Sequence, residues 1–444
     1  MGISSIIFLI ALTTGGFFFV KRIALIKYYI NLGKDQVIND RKGERWGNMA
    51  RVAMGQSKMV RRPVAGFLHI LVYVGFIIVN IEVLEIIIDG VFGTHRVFAG
   101  FFPSGLYNFL IASFEILAFL VFTSCVIFLI RRNVMRIKRF LSPEMKGWPK
   151  SDANLILIFE ILLMSAFLKM NAMDQVLQDM GAEHYVVAGT YPISQYLKVF
   201  FQNFEMETLI VMERIAWWFH IIGILIFAVY VTYSKHLHIF LAFPNTWYAR
   251  LNNPGELNNL ESVKNEVEKM MDPSIDPYAT LPEGAEAEVA PTFGAKDVTD
   301  LSWKNVMDAF TCTECGRCTS VCPANQTGKL LSPRKIMMDT RDRAQELGDF
   351  KKKNGDAEHD GKSLLRDYIK EEEIWACTSC NACVDICPIM INPLDIIIDV
   401  RRNLIMEESK SPESITSMFN NIENNGAPWA FSPSDRDKWK EELN

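Results

Sequence analysis

Five long apolar stretches alternate with short charged segments over the first 245 residues, and beyond that point the pattern changes to short amphipathic segments. A helix needs roughly 20 apolar residues to cross the hydrocarbon core of a bilayer. The stretches cover residues 3–20, 64–88, 106–130, 155–173 and 209–233. The first resembles a signal peptide in length, but it lacks a basic start and a small-residue cleavage site. We therefore predict five transmembrane helices.

The charged loops between these stretches predict the orientation of the bundle. Residues 21–62 contain eleven Lys or Arg and residues 131–150 contain seven, whereas residues 89–103 and 171–207 contain one each. Basic loops face the cytoplasm. We therefore expect a multi-pass protein of the cytoplasmic (inner) membrane, with its N-terminus outside and everything after the fifth span in the cytoplasm.

The chain after residue 245 indicates a helix and a linker, followed by a separate domain. A polar helix is predicted over 256–271, and a Pro-, Ala- and Glu-rich linker over 273–295. From residue 297 the pattern is typical of short capped helices, such as the one that Ser332 and Pro333 begin. The expected organisation is a membrane domain over 1–245, a helix and linker over 246–296, and a mostly α-helical cytoplasmic domain over 297–444.

The composition agrees with this organisation and excludes several classes of protein. Of the 444 residues, 50% are hydrophobic and 22% are charged, and the mean hydropathy is +0.12. These values are too apolar for an ordinary soluble domain and too charged for a protein confined to the membrane. The net charge of -5 leaves no basic excess to neutralise phosphates, so nucleic acid is not expected as a partner.

Eight of the nine cysteines fall into two runs with the same spacing. Each run reads Cys-x₂-Cys-x₂-Cys-x₃-Cys-Pro, the first from Cys312 to Pro323 and the second from Cys377 to Pro388. Three thiolates on one tight loop bind three corners of an iron–sulfur cubane, and in two-cluster ferredoxins the last cysteine of each run ligates the other cluster. We predict one [4Fe-4S] cluster on Cys312, Cys315, Cys318 and Cys387. The other is predicted on Cys377, Cys380, Cys383 and Cys322.

Structural zinc is the alternative for these cysteines. Zinc takes four ligands, usually as two separated pairs, and has no use for a third cysteine at this spacing. The cytoplasm is reducing, so clustered thiols there bind metal rather than form disulfides. Two clusters that share ligands favour electron conduction over a purely structural role. The ninth cysteine, Cys125, lies inside the third span and is expected to be a packing residue.

Histidines at matched depths predict a haem inside the bundle. His69 is near the start of the second span, and His238 follows the fifth span on the same side of the membrane. Two imidazoles on facing helices are what a six-coordinate haem b needs. On a continuous helix His220 lies about 27 Å from His238 on the same face, whereas His236 points about 160° away from His220. We therefore predict ligation by His69 and His238, with His236 as the competing ligand.

His220 and two acidic residues are candidates for a second site near the outer boundary. A second haem needs a partner for His220, for which His95 and His184 on the outer loops are candidates; otherwise we expect His220 to bond a carboxylate or quinone. Glu82 and Glu85 lie three apart on one helix face, and carboxylates inside a membrane are functional candidates by default. They are candidate proton acceptors at a quinol site near His220, and an interfacial helix end is the alternative.

Two stretches carry a family resemblance. The chain reads Gly66-Phe67-Leu68-His69 at the second span and Ser234-Lys235-His236-Leu237-His238 after the fifth. This is similar to the cytochrome b subunit of respiratory nitrate reductase and to the membrane cytochrome of heterodisulfide reductase. The resemblance implies a five-helix fold over about residues 1–245 that binds haem b through histidines of its second and fifth helices. Where the two-haem relatives carry another histidine on the second helix, this chain has Val79.

The soluble part resembles the iron–sulfur module of heterodisulfide reductase, in both cysteine runs and in Thr327-Gly328-Lys329 and Asn421-Ile422-Glu423. The resemblance implies an electron-transfer subunit that links a menaquinone pool, through haem b and two [4Fe-4S] clusters, to a cytoplasmic partner. The chain contains no Cys-Cys-Gly sequence. We therefore expect the partner to be a separate CCG-domain, heterodisulfide-reductase-like subunit or an electron-transfer flavoprotein. A membrane-anchored iron–sulfur redox sensor or scaffold is the alternative function.

Overall fold

The membrane part of the protein is a bundle of long helices. The computed structural model describes residues 2–187, 189–253, 255–274, 292–355 and 359–443. Its first helices are α1 (Ile3–Ile30), α2 (Lys42–Met49), α3 (Pro63–Phe92), α4 (Ser104–Asn133), α5 (Trp148–Asp179), α6 (Met206–Val231) and α7 (His238–Trp247). Five of them, α1 and α3 to α6, are long and apolar enough to cross a membrane. The prediction of five spans is confirmed.

Apolar side chains fill the centre of this bundle. Helix α5 lies between α4 and α6, α3 packs on α4, and α1 contacts α3 and α6. The buried side chains between them are largely aromatic or branched, and they include Phe114, Phe167, Ile111, Ile221 and Trp217. Because lipid is as apolar as these side chains, close packing rather than the hydrophobic effect holds such helices together.

The fifth membrane helix ends earlier than the histidine spacing assumed. Helix α6 stops at Val231, and Ser234 is extended, with φ -114° and ψ 157°. The Ser234 hydroxyl accepts the backbone N–H of His236 and begins a short 3-10 turn, Lys235–Leu237, which leads into α7. His220 and His238 therefore do not lie on one continuous helix, and the expected 27 Å spacing and the 160° rotation of His236, which assumed one, do not apply.

The second part of the chain is also helical, as predicted. Its helices are α8 (Glu261–Met271), α9 (Trp303–Thr311), α10 (Arg317–Val321), α11 (Pro323–Gln326), α12 (Pro333–Asn354), α13 (Glu371–Trp375), α14 (Ala382–Asp385), α15 (Pro393–Arg402) and α16 (Glu413–Asn425). Within the described residues there is no strand, only isolated bridges between Lys34 and Ser302 and between Leu365 and Ile369. As predicted, Ser332 caps α12, where its hydroxyl accepts the N–H of Lys335.

The expected domain boundaries stay a prediction. The helix predicted over 256–271 is present as α8. Most of the predicted linker, residues 275–291, lies outside the described part of the chain.

The cysteine-bearing part is seated directly on the end of the first membrane helix. The Tyr29 ring stacks on Phe310, with ring centroids 6.0 Å apart, and its hydroxyl bonds Asp349. Just beyond α1, the Lys34 N–H donates to Leu301 O at 2.7 Å, and the Trp303 N–H donates back to Lys34 O at 3.0 Å. One buried apolar core therefore continues from α1 into α9 and α12.

This seating depends on a close backbone approach at Gly33. A Cβ atom placed there would lie 2.7 Å from Trp303 N. We expect Gly33→Ala to destabilise the contact by about 1–3 kcal/mol, because the obstructing atoms are backbone and move only with the whole segment. Limited proteolysis of the full-length protein should release the cysteine-bearing part faster. Gly43→Ala, where nothing lies within 4 Å of the added Cβ, is the matched control; equal cleavage of both variants would contradict the account.

Candidate functional site

The two cysteine loops have the same backbone path. In the first, Glu314 and Gly316 have positive φ, 53° and 68°; in the second, the equivalent Ser379 and Asn381 have φ of 55° and 60°. A short helix follows each loop and carries the third cysteine of the run, α10 in the first and α14 in the second. Left-handed residues at matched positions turn each loop back on itself, so that its cysteines converge.

The first cavity brings together five cysteines from both runs. It is lined by Cys312, Cys315 and Cys318 of the first run and by Cys383 and Cys387 of the second. The four cysteines that the sequence assigns to one cluster are among them, and Cys383, which the sequence assigns to the other cluster, is the fifth. Burial raises the pKa of Cys312 to about 12 and that of Cys387 to about 11. Thiols of this kind ionise when a metal replaces the proton, as in iron–sulfur sites.

Cys383 also belongs to a second group, with Cys377, Cys380 and Cys322. Burial, followed by the charges of Cys377, Cys322 and Cys380, raises the pKa of Cys383 to about 12. Cys322, which belongs to the first run, therefore lies beside the cysteines of the second. Cys380 is exposed, so this group reaches the protein surface.

Basic side chains surround the first cavity. The buried Arg334 lines it, donates to Arg139 O at 2.7 Å and pairs with Glu144 at 2.6 Å. Arg317, in the middle of the first cysteine run, donates to the carbonyl oxygens of Lys58 and Met59, both at 3.2 Å. These contacts join the cysteine loop to the segment just before α3.

His69 and His238 lie close together, at the same end of the bundle as the first cysteine loop. Their ring centroids are 6.4 Å apart and their planes are inclined by 39°. The His238 Nδ1–H donates to Lys235 O at 3.1 Å, which leaves its Nε2 lone pair free. No described group hydrogen-bonds to the buried Nδ1 of His69. Burial lowers the pKa of His238, so its ring is neutral and able to bind a metal.

His236 and His220 have different surroundings. Because of the break after α6, the His236 ring lies 5.3 Å from the His238 ring and nearly perpendicular to it. His220 is buried on α6, and its Nδ1–H donates to Leu163 O at 3.0 Å. Its ring packs on Phe167, so α5 and not α3 is its nearest contact.

A buried ion pair joins the histidine region to the cysteine loop. The Lys235 ammonium pairs with Glu314, which lies between Cys312 and Cys315, and donates to Pro149 O at 2.6 Å. Arg341 donates to the other oxygen of Glu314 at 2.8 Å. Burial alone would raise the pKa of Glu314, but the positive charges of Lys235 and Arg341 hold it below its usual range. Lys235 also supplies the carbonyl oxygen that orients His238.

The acidic residues of α3 lie near the far end of the bundle, away from the cysteines. Arg96 enters the bundle from the loop after α3 and pairs with Glu82 at 2.6 Å. Glu85 accepts from the Tyr107 hydroxyl at 3.0 Å and from the Phe98 N–H at 2.8 Å, and it lies 4.0 Å from Arg96. Glu82 and Glu85 thus lie close together, both beside Arg96. His220 of α6 instead contacts Leu163 and Phe167 of α5.

Arg96 is the functional candidate that the sequence reasoning missed. In the sequence it is only the single basic residue of the loop over residues 89–103. The available signal was the spacing of Glu82, Glu85 and Asp89 along one face of α3, since buried carboxylates require a cation. The Arg96 N–H also donates to Asp89, at 2.8 Å.

The outer-loop histidines pair with each other. The ring centroids of His95 and His184 are 5.2 Å apart, and His95 faces Asp174 of α5. His220 faces Leu163 of the same helix, eleven residues away or about 16 Å along its axis. The geometry therefore does not bring His95 to His220 as the second ligand of one haem.

Comparison with known proteins identifies the cysteine region. Residues 304–388 match the family model of the 4Fe-4S dicluster domain. The cysteines of this domain hold two [4Fe-4S] clusters, and the eight cysteines of the two runs agree with this number. The chain therefore combines a 4Fe-4S dicluster domain with five candidate membrane spans.

Two relatives match nearly the whole chain. The "Probable iron-sulfur-binding oxidoreductase FadF" of Bacillus subtilis is 28% identical over 469 residues, which cover 99% of this chain and 61% of the relative. The "EtfAB:quinone oxidoreductase" of Syntrophomonas wolfei is 27% identical over 433 residues, which cover 91% of this chain and 55% of the relative. The chain thus spans about 55–61% of the length of these curated relatives.

A third relative matches a shorter part of the chain. It is one component of the ferredoxin/F(420)H(2)-dependent CoB-CoM heterodisulfide reductase of Methanosarcina acetivorans. The two are 33% identical over 108 residues, which cover 24% of this chain and 53% of the relative. This agrees with the resemblance of the soluble part to heterodisulfide reductase. No solved structure matches the chain.

The shared-ligand arrangement predicts a pattern of iron loss. A chain with both clusters holds about eight irons. We expect Cys387→Ser, Cys312→Ser and their double variant each to keep about four irons, because both residues are predicted to ligate the same cluster. A double variant of Cys377 and Cys387 should lose nearly all of the iron. Iron and acid-labile sulfide per chain are measured, with Cys125→Ser as the control. If the Cys312 and Cys387 double variant loses nearly all of its iron while the Cys377 and Cys387 double variant keeps about four irons, Cys387 belongs to the other cluster.

The buried Lys235–Glu314 pair predicts a coupled loss of stability. Lys235→Met removes one of the two cations that pair with the buried Glu314 carboxylate and leaves it only Arg341, and we expect a loss of about 3 kcal/mol. Adding Glu314→Gln should recover part of it. Thermal unfolding is followed by the absorbance of the clusters, with Lys264→Met on the exposed α8 as the matched control. Equal melting of the Lys235 and Lys264 variants would contradict this role.

Proposed function

We propose that this chain connects a membrane quinone pool to a cytoplasmic electron-transfer partner through a haem b and two [4Fe-4S] clusters. The observation that carries the proposal is the position of the His69–His238 pair beside the first cysteine loop. When bound, a haem and two cubanes pass single electrons, which is the chemistry needed between a two-electron quinone and a protein donor.

The separation of the two rings fits a bis-histidine haem. Imidazoles on opposite sides of one metal ion, with metal–nitrogen bonds of about 2 Å, have ring centroids about 6 Å apart. The centroids of His69 and His238 are 6.4 Å apart. The hydrogen bond from His238 Nδ1 to a backbone carbonyl is the outer-shell contact that usually orients a ligating histidine. A second haem at His220 remains a prediction without a partner ligand.

The contacts of the two loops support an order for the clusters. The first cysteine group faces the membrane part, since Glu314 bonds Lys235 and Arg317 bonds the segment before α3. The second group includes the exposed Cys380. We assign the first group, Cys312, Cys315, Cys318 and Cys387, to the membrane-facing cluster. The second, Cys377, Cys380, Cys383 and Cys322, is assigned to the partner-facing cluster.

Cations lie at both cysteine loops. Arg317 and Arg334 line the first cavity; at the second run Arg401 donates to Cys377 O and Arg61 pairs with Asp385 at 2.7 Å. Positive charge stabilises a reduced cluster, because reduction adds an electron. We propose quinone reduction as the direction, since a relative that covers most of this chain is named for EtfAB and quinone.

The names of the relatives support the choice of partners. A relative that covers most of this chain is named for EtfAB and quinone. We propose an electron-transfer flavoprotein as electron donor and menaquinone as acceptor; a CCG-domain, heterodisulfide-reductase-like subunit is the other candidate, from the resemblance of the soluble part. The basic loops support an orientation with the cluster domain in the cytoplasm and the N-terminus outside.

Glu82 and Glu85 differ as candidate proton acceptors. Glu85 is engaged by Tyr107 and by the Phe98 N–H. Oε2 of the buried Glu82 has no described partner. We therefore propose Glu82 as the proton-exchanging carboxylate and a structural role for Glu85.

Haem content tests the proposal. We expect one haem b per chain, measured by pyridine haemochrome, and none in His69→Ala or His238→Ala, since each variant lacks one of the two residues that would hold the haem. His236→Ala should keep its haem, and iron and sulfide assays should show intact clusters throughout. Reduction of the clusters by a menaquinol analogue, as the reverse of the proposed reaction, should be lost in the first two variants only.

Three results would change the proposal. Loss of haem in His236→Ala but not in His238→Ala would exchange the ligand. Two haems in the native chain would show a ligand for His220 that we have not identified. Absence of haem from a chain with intact clusters would favour an anchored iron–sulfur sensor or scaffold.

A further inference from the structure

A chain of polar side chains runs from the surface into the bundle, at the end opposite the clusters. His184 is exposed, and its ring lies 5.2 Å from that of His95. His95 Nε2 is 3.7 Å from Asp174 Oδ1, and Asp174 Oδ2 is 3.6 Å from Arg96 Nη2. Arg96 in turn bonds Glu82 at 2.6 Å. Each member thus contacts the next, from the exposed histidine to a buried carboxylate.

Three buried polar atoms in this region have no hydrogen-bond partner among the described residues. They are Glu82 Oε2, His95 Nε2 and the hydroxyl of Tyr191. Tyr191 is 4% exposed and lies under the Arg96 guanidinium, 5.8 Å from ring centroid to guanidinium carbon. Gln178 approaches its hydroxyl without reaching hydrogen-bond geometry. Buried polar atoms of this kind are normally satisfied by bound water or a ligand.

The gaps in the chain have the size of a water-bridged contact. Distances of 3.6 and 3.7 Å are too long for direct hydrogen bonds between side chains, and polar contacts of this length commonly hold a bridging water. The carboxylates also outnumber the cations, since Glu82, Glu85 and Asp174 share one guanidinium. The cluster therefore has the capacity to take up protons, with His95 between it and the surface.

We propose that this chain is a proton path between the surface opposite the cluster domain and the quinone site. Its members, in order, are His184, His95, Asp174 and Glu82. Arg96 stays protonated and pairs with both Asp174 and Glu82, so that it positions them, and a bound water carries the proton between the two carboxylates. The inference rests on the proposed quinone reaction. A quinone that accepts two electrons binds one proton at each carbonyl oxygen and becomes a quinol. The electrons arrive from the cluster side, and the protons arrive along this path.

The proton path and the His69–His238 pair lie at different depths in the bundle. Glu82 lies thirteen residues beyond His69 on α3, about 20 Å along the helix axis. The buried His220 lies on α6, where it bonds Leu163 near the middle of α5. Electrons and protons therefore reach the membrane interior from opposite ends of the bundle, and the protonatable side chains stay apart from the clusters.

The test uses the full-length protein, purified in detergent with its clusters reduced by dithionite and the excess removed. Reoxidation is started with menadione, a soluble menaquinone analogue that needs protons, or with ferricyanide, which does not. We expect about tenfold slower reoxidation by menadione in His95→Ala, His95→Gln and Asp174→Asn, and no change with ferricyanide. Added imidazole should restore the rate of His95→Ala. Asp179→Asn, an exposed acid close by on α5, is the matched control.

The outcomes separate the two proposals. If menadione does not reoxidise the native protein, the quinone function fails and the path falls with it. If the native protein reacts and the His95 and Asp174 variants react equally fast, the path alone is overturned. Slow reoxidation of His95→Ala that imidazole does not restore would assign His95 a structural role and would also overturn the path.

Discussion

The buried pair of Lys235 and Glu314 connects the two halves of this molecule. Taking two charges out of water is expensive, and it is tolerated only when the charges pair closely and find further hydrogen bonds. Glu314 meets this requirement with Arg341, and Lys235 with Pro149 O. Because Lys235 lies in the break after α6 and Glu314 lies between two cluster cysteines, the pair determines where the cysteine loop sits relative to His238.

A second buried cation organises the other end of the bundle in the same way. Arg96 enters the bundle from a loop and pairs with carboxylates of α3 and α5. The bundle thus has a charged network at each end and an apolar centre of aromatic and branched side chains. Such networks are costly inside a membrane, where they usually mark function rather than stability. Their separation keeps the residues proposed to hold the clusters and the haem apart from the protonatable side chains.

The sequence was sufficient to predict features that depend on local pattern. Apolar length identified the five long apolar helices, and the repeated cysteine spacing predicted two clusters. The closeness of the His69 and His238 rings agrees with their matched depth, although the choice of His238 over His236 assumed a continuous helix. The break after Val231 was not predictable from local pattern, because Thr232 and Tyr233 are compatible with a helix. The chain leaves the helix where Ser234 caps a new turn and the Lys235 N–H finds Asp152, a contact across 83 positions.

The role of Arg96 was also not predictable from local sequence pattern. A single arginine in an outer loop is ordinarily a solvated residue, and its sequence neighbours do not distinguish it. It becomes the centre of a network because three carboxylates from two helices face the space it enters, and only the packed bundle brings them together. Unpaired, those carboxylates would cost several kcal/mol each. Placing Arg96 there therefore stabilises the fold and leaves Oε2 of Glu82 without a hydrogen-bond partner among the described residues. This oxygen is the atom at which we propose proton exchange.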